Sequence, residues 1–201
     1  MSSPRFDVLL LDLGGVLVQV NGMPAMRAWT GLADAEIWRR WLASPAVRRF
    51  ETGRCESDEF ASSVVAELEI DATPGEFLEQ FASWCLEPHP GATELLVELS
   101  ARYRLACLSN TNALHWDCIQ RVSDVLEPFH HLLPSHETQR IKPDREAFEH
   151  AIAELDCAPE RVVFFDDSPI NVEGARAAGL EAHMVADTEA LSRALGDLGL
   201  R

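Results

Sequence analysis

Near its start the chain carries a run in which almost every position is apolar, Phe6-Asp7-Val8-Leu9-Leu10-Leu11-Asp12-Leu13, closed by Gly14-Gly15. A strand with one wet face alternates apolar and polar residues. An unbroken run of this length predicts a strand covered on both faces, as in a parallel sheet. Comparable runs recur at 103–108, 161–165 and 180–185, with a weaker one at 130–133. Between and after them the apolar positions take on helical spacing, at 92–101, 113–122, 145–155, 170–178 and 188–198. Gly179 stands where a helix ends in a left-handed glycine. Strands alternating with helices predict an α/β fold, a Rossmann-like, doubly wound parallel sheet.

Residues 19–88 break the alternation and read as helices only. Trp29, Trp38, Trp41, Phe50, Phe60, Phe77, Phe81 and Trp84 recur at roughly helical spacing, which predicts the core of a small module rather than a ligand cage. The turn residues of Glu87-Pro88-His89-Pro90-Gly91 predict the return hinge. The expected organisation is a core of residues 1–18 and 89–201 with a helical cap, 19–88, inserted after the first strand. That places the cap over the C-terminal end of the strand, where open parallel sheets bind ligands.

Composition narrows the partners. The 201 residues suffice for one core domain with an inserted module. A formal net charge of −16 argues against a nucleic acid or an anionic membrane as partner. No apolar stretch approaches the roughly 20 residues of a membrane span. Cys55, Cys85, Cys107, Cys118 and Cys157 are odd in number and scattered, which fits reduced thiols in a cytoplasmic protein. Of the 17 basic side chains only Lys142 is lysine, the rest being arginine. A compact ammonium fits a tight anionic pocket that a guanidinium fork does not.

Four features fall at strand ends. Asp12 closes the first strand before Gly14-Gly15; a carboxylate there is a nucleophile, a metal ligand, both, or a turn cap. Ser109-Asn110-Thr111-Asn112 follows the strand ending at Leu108; it offers a helix cap and a cradle for phosphate oxygens. Lys142 is the third feature. Asp166-Asp167 ends the fourth strand, with Ser168 and Asn171 beyond. Adjacent aspartates at a buried strand end are costly without a compensating cation, and with Asp12 they make the all-oxygen site that Mg2+ prefers.

On these stretches, Leu10-Leu11-Asp12-Leu13-Gly14-Gly15-Val16-Leu17, Cys107-Leu108-Ser109-Asn110-Thr111-Asn112, Lys142-Pro143-Asp144 and Phe165-Asp166-Asp167-Ser168-Pro169-Ile170-Asn171, the chain resembles the haloacid dehalogenase-like hydrolase superfamily over nearly its whole length. The run through His115 resembles the subgroup containing bacterial α-D-glucose-1-phosphate phosphatase. The resemblance implies a Mg2+-dependent phosphatase acting on a small phosphorylated metabolite, such as a sugar 1-phosphate. By position, Asp12 would be the nucleophile that becomes an aspartyl-phosphate. Ser109 and Asn110 would hold phosphoryl oxygens, and Lys142 would neutralise the phosphate and orient Asp12. Mg2+ would take Asp12, Asp167 and the Gly14 carbonyl, with Asp166 supporting and Asn171 holding the loop. One position departs from the pattern. Gly14 stands where most phosphatases of the superfamily place a second Asp as general acid and base, a group worth about 10²- to 10⁴-fold in rate. The alternative function is therefore a catalytically weak phosphate-binding or regulatory protein on the same scaffold. A metal-free dehalogenase is disfavoured, as are a Schiff-base hydrolase, which needs a cap lysine, and a mutase, which needs the missing Asp. Three further side chains are secondary candidates near the site: His115, Arg54 in the cap turn Glu51-Thr52-Gly53-Arg54, and His89 in the hinge.

Overall fold

The computed structural model describes residues 5–201, apart from the side chains of Cys85 and Leu86. Five strands form one parallel sheet in the order β5-β4-β1-β6-β7. They are β1 (Val8–Leu11), β4 (Arg104–Ser109), β5 (His131–Pro134), β6 (Val162–Asp166) and β7 (Glu181–Met184). The chain builds outward from β1 to β4 and β5, then crosses back to β6 and β7. The crevice where the order reverses lies at the C-terminal ends of β1, β4 and β6.

The unbroken apolar runs have a direct cause. In β1, Leu9 and Leu11 enter one core while Val8 and Leu10 enter the other. In β4 and β6 the same alternation sends Leu105, Cys107, Val163 and Phe165 to the first face, and Ala106, Leu108, Val162 and Phe164 to the second. The first face is covered by α6 (Ala92–Ser100), α7 (Ala113–Val122) and α11 (Thr188–Asp197), the second by α9 (Arg145–Leu155) and α10 (Pro169–Ala177). Both faces are therefore dry, and polar residues in these strands are confined to their ends. Gly179 adopts φ +94° after α10, as a left-handed helix stop requires.

Between β1 and α6 lie α1 (Met23–Thr30), α2 (Asp34–Ala43), α3 (Pro45–Glu51), α4 (Ser57–Glu67) and α5 (Pro74–Ala82). They enclose a third core of their own, in which Phe50 stacks on Phe60 at 4.2 Å between ring centroids and Phe81 meets Trp84 at 5.0 Å. Two expectations need correction. Residues 19–88 are not helical throughout: β2 (Val18–Val20) and β3 (Cys85–Pro88) pair antiparallel at the neck of the insert. Such a ribbon was illegible because each strand is short and owes its conformation to its partner. Trp38 also leaves the aromatic core, being 50% exposed on α2. Cys55, Cys107, Cys118 and Cys157 are free thiols; the Cys85 side chain lies outside the described residues. Among the described residues no helix is long and apolar enough to cross a membrane.

The cap is seated on the core through the turn after α3. Gly53 has φ +66°, and a Cβ there would overlap the backbone carbonyl of His136 in the short helix α8 (Ser135–Thr138). Gly53→Ala is expected to destabilise by about 2 kcal/mol or more, a fall in Tm of about 4–8 °C. Gly75→Ala is the control, since no atom lies within 4 Å of its Cβ position and its φ is ordinary. Thermal melts of both variants check the contrast; equal melting temperatures would contradict the close seating.

Candidate active site

Sheet register brings the strand ends together. Leu11 is level with Cys107 on β4 and Phe165 on β6, so Asp12, Leu108 and Asp166 stand in one row at the edge. The Asp12 N–H still donates to the Phe165 carbonyl at 2.9 Å, which fixes the backbone from which the carboxylate projects. Lys142 arrives from the loop between α8 and α9. Its Nζ lies 2.8 Å from Asp12 Oδ1 and 2.7 Å from Asp166 Oδ2. All three groups are deep, at 7% exposure for Asp12, 3% for Lys142 and 0% for Asp166.

The two aspartates are used differently. Asp166 is saturated: Oδ1 accepts from Ser168 N and from Asn171 Nδ2, and Oδ2 accepts from Lys142 and Asn171. Asp12 commits only Oδ1, to Lys142 and to the Leu13 N–H at 2.8 Å. Its Oδ2 accepts no hydrogen bond among the described residues. Asp167 is exposed at the rim. Oxygens of Asp12, Asp166 and Asp167 lie within 4.8 Å of one another.

Three carboxyl groups face a single ammonium. Burial, with the Asp166 charge adding to it, pushes the Asp12 carboxyl up to about 8 despite Lys142. Burial and the Asp166 charge also raise Asp167. Burial alone would lower Lys142, but the charges of Asp12 and Asp166 outweigh it and hold its pKa above the ordinary lysine value. The lysine therefore stays charged, and the donor set is all oxygen and short of one divalent cation. Asp12, Asp167 and the nearby Gly14 carbonyl are the groups that could hold it.

The loops around the cluster are tied down by contacts with no sequence signature. The Asn110 amide is committed to the Lys142 backbone: Nδ2 donates to its carbonyl at 2.8 Å, and Oδ1 accepts its N–H at 2.9 Å. Ser109 ends β4 and is buried. Asn112, rather than Ser109, caps α7 by accepting the His115 N–H. His89 Nε2 donates to the Gly15 carbonyl at 2.9 Å, and Thr188 Oγ1 to the Val16 carbonyl at 2.8 Å, clamping the glycine turn. In that turn Gly15 is the constrained residue, with φ +82° and Asp167 where a Cβ would be. Gly14 has no left-handed φ, and a Cβ there would meet only Val20 Cγ2 at 3.3 Å.

Of the secondary candidates, Arg54 is exposed and donates to the Gln139 carbonyl, tying cap to core. His115 is a second tie. Its Nε2 donates to the Phe81 carbonyl of α5 at 2.8 Å, its ring lies 4.4 Å from the Phe81 ring, and Nδ1 accepts from Asn112 Nδ2. Both nitrogens are occupied by this joint.

The chain belongs to the haloacid dehalogenase-like hydrolase family, whose model matches residues 6–179. It is 23% identical to the sesquiterpene phosphatase astK of Aspergillus oryzae over 198 residues, covering 96% of each chain. It is 27% identical to the phosphatase MT3486 of Mycobacterium tuberculosis over 194 residues, covering 89% of this chain and 87% of the relative. Its fold matches a haloacid dehalogenase family enzyme of Bacteroides thetaiotaomicron crystallised with magnesium and inorganic phosphate, at a TM-score of 0.72 and 22% identity, covering 90% and 94% of the two chains.

Burial lowers the His115 pKa, and the Phe81 carbonyl only partly offsets this. A base with a depressed folded pKa contributes stability that is complete above its unfolded pKa, about 6.5, and lost as pH falls below it. His115→Gln is expected to weaken the pH dependence of Tm between roughly pH 7 and 5, because its amide carries no proton to gain. Wild type and variant melted side by side check this; parallel curves would show that His115 does not titrate in the joint.

Proposed function

We propose that this protein is a Mg2+-dependent phosphomonoesterase that works through an aspartyl-phosphate on Asp12. The observation that carries the reading is the buried Asp12–Lys142–Asp166 cluster with Asp167 at its rim, whose three carboxyl groups offer a cation only oxygen ligands. Mg2+ would be held by Asp12, Asp167 and the Gly14 carbonyl, with Asp166 ordering the shell through Lys142, Ser168 and Asn171. When bound, it supplies positive charge for a phosphoryl group that three carboxylates would otherwise repel. The magnesium and phosphate on the Bacteroides fold neighbour are in keeping with this.

Asp12 Oδ2 attacks phosphorus in line while Lys142 grips Oδ1 and sets the carboxylate's angle. Lys142 also stabilises charge on the transferring group, and the Ser109 hydroxyl and the Asn110 backbone N–H complete the cradle. Water then cleaves the acyl-phosphate and frees Asp12. The substrate is a small phosphorylated metabolite; a sugar 1-phosphate fits the missing Asp, because its anomeric oxygen leaves with least help from an acid.

With Mg2+ and an aryl phosphate, wild type is expected to turn over. Chelator is expected to abolish activity, and Asp12→Asn to lower kcat by at least about 10³-fold. The fold should persist in Asp12→Asn, since the substitution removes one repelling charge. Steady-state kinetics and melting curves test this, and full activity in Asp12→Asn would sink the mechanism. Lys142→Arg keeps the charge but forces a planar fork into an ammonium site, and is expected to cost at least about 10²-fold in kcat. Wild-type kinetics in that variant would reduce the single lysine to a compositional accident.

A further inference from the structure

The phosphatase reading leaves one chemical role unfilled. With glycine at position 14, nothing on the Asp12 loop can protonate the leaving oxygen. In-line geometry says where that proton must come from. Asp12 attacks from the edge of the sheet, so the leaving oxygen, and later the hydrolytic water, occupy the opposite apex.

The segment of the cap that docks beside the Ser109–Asn112 loop is the C-terminal end of α3, which carries Glu51. Its backbone carbonyl accepts the Ser135 hydroxyl at 2.5 Å, and the same hydroxyl oxygen accepts the Thr111 N–H at 2.9 Å, so Glu51 is tied through one side chain to the Ser109–Asn112 loop. Arg48, one turn earlier, pairs with Asp144, two residues beyond Lys142. Next to Glu51 on the other side, Gly53 is seated on His136. Glu51 is half-buried, its carboxyl beside Trp41 and within the field of Lys142.

Resting on the phosphatase reading, we propose that Glu51 is the general acid and base of the reaction, supplied by the cap in place of the Asp missing at position 14. In the first step Asp12 Oδ2 forms a bond to phosphorus, the ester P–O bond breaks, and the leaving oxygen takes the Glu51 proton. In the second, water attacks phosphorus and gives a proton to the Glu51 carboxylate, the bond to Asp12 breaks, and phosphate departs. The sum is ester plus water giving alcohol plus phosphate, with Asp12 and Glu51 restored.

The protonation state suits both steps. Burial pushes the Glu51 carboxyl up to about 7, against the Trp41 hydrogen bond and the Lys142 charge, so both forms are populated at neutral pH. Other charged groups on the packed elements are engaged elsewhere: Arg40 of α2 with Glu36, Arg49 of α3 with Glu59 of α4, and Glu67 of α4 with Ser44. His136 of α8 lies beside Glu137. Two histidines of the surrounding elements are also occupied, His115 by the Phe81 carbonyl and His89 by that of Gly15.

The experiment compares wild type with the isosteric Glu51→Gln, with Mg2+, over phosphate esters from p-nitrophenyl to primary alkyl and from pH 5 to 9. Glu51→Gln is expected to lose about 10²- to 10⁴-fold in kcat/KM on alkyl esters but less than about tenfold on p-nitrophenyl phosphate, whose phenolate leaves unaided. Its profile should also lose the limb near neutral pH that is expected of wild type. The ratio between esters is read within one preparation, so it does not depend on the folded fraction. An equal loss on every ester, or no loss on any, overturns the role of Glu51 and leaves the Asp12 chemistry standing. A wild type that hydrolyses no ester overturns both.

Discussion

The Lys142 ammonium lies between Asp12 and Asp166 at the dry end of a sheet covered on both faces, and the surrounding loops serve to keep it there. A buried carboxylate stripped of its partner costs several kcal/mol, so two at adjacent strand ends are tolerable only with a cation between them. One ammonium is not enough for three aspartates. Burial first, and the charge of Asp166 after it, lift the Asp12 carboxyl, and the cluster of carboxyl oxygens is one that could hold a divalent cation. The geometry is specific because each charged group is held by neutral ones. Asn110 grips the Lys142 backbone from both sides, and Ser168 and Asn171 saturate Asp166. Asp12 is left as the carboxylate with an oxygen to spare.

A second constraint is the joint between cap and core. The cap has its own aromatic core and is bound to the sheet domain at several separate points. Ser135 reaches the Glu51 carbonyl, His115 reaches that of Phe81, and Arg48 pairs with Asp144. These polar ties make position, more than stability. A cap-borne acid would be in place only when the cap is seated. Chemistry at the phosphorus would then be coupled to exclusion of water from it.

Much of this was legible in the sequence. Apolar runs without alternation identified the central strands, because a strand buried on both sides has nowhere to put a polar residue. Asp12, Ser109 and Asp166 stood out for the same reason, as polar residues where such runs stop. Lys142 stood out by its rarity. The neck ribbon of β2 and β3 was not legible, since short strands draw their order from a partner some 65 residues away. Nor was the split between a saturated Asp166 and an available Asp12, because two aspartates look alike until their hydrogen bonds are known.

Local chemistry therefore determined the elements, the order of the strands' polar ends and the residue types at the site. These depend on which side chains each short stretch can bury. Tertiary structure alone decided what each group does. His115, open to reading as a proton donor near the site, is a cap-to-core tie; Gly14 is conformationally ordinary while Gly15 carries the turn; and Glu51, one letter in a cap turn, is tied through Ser135 to the loop after β4. Roles of this kind are set by distances between residues far apart in the chain and by the water that packing removes, and neither is written in any local pattern.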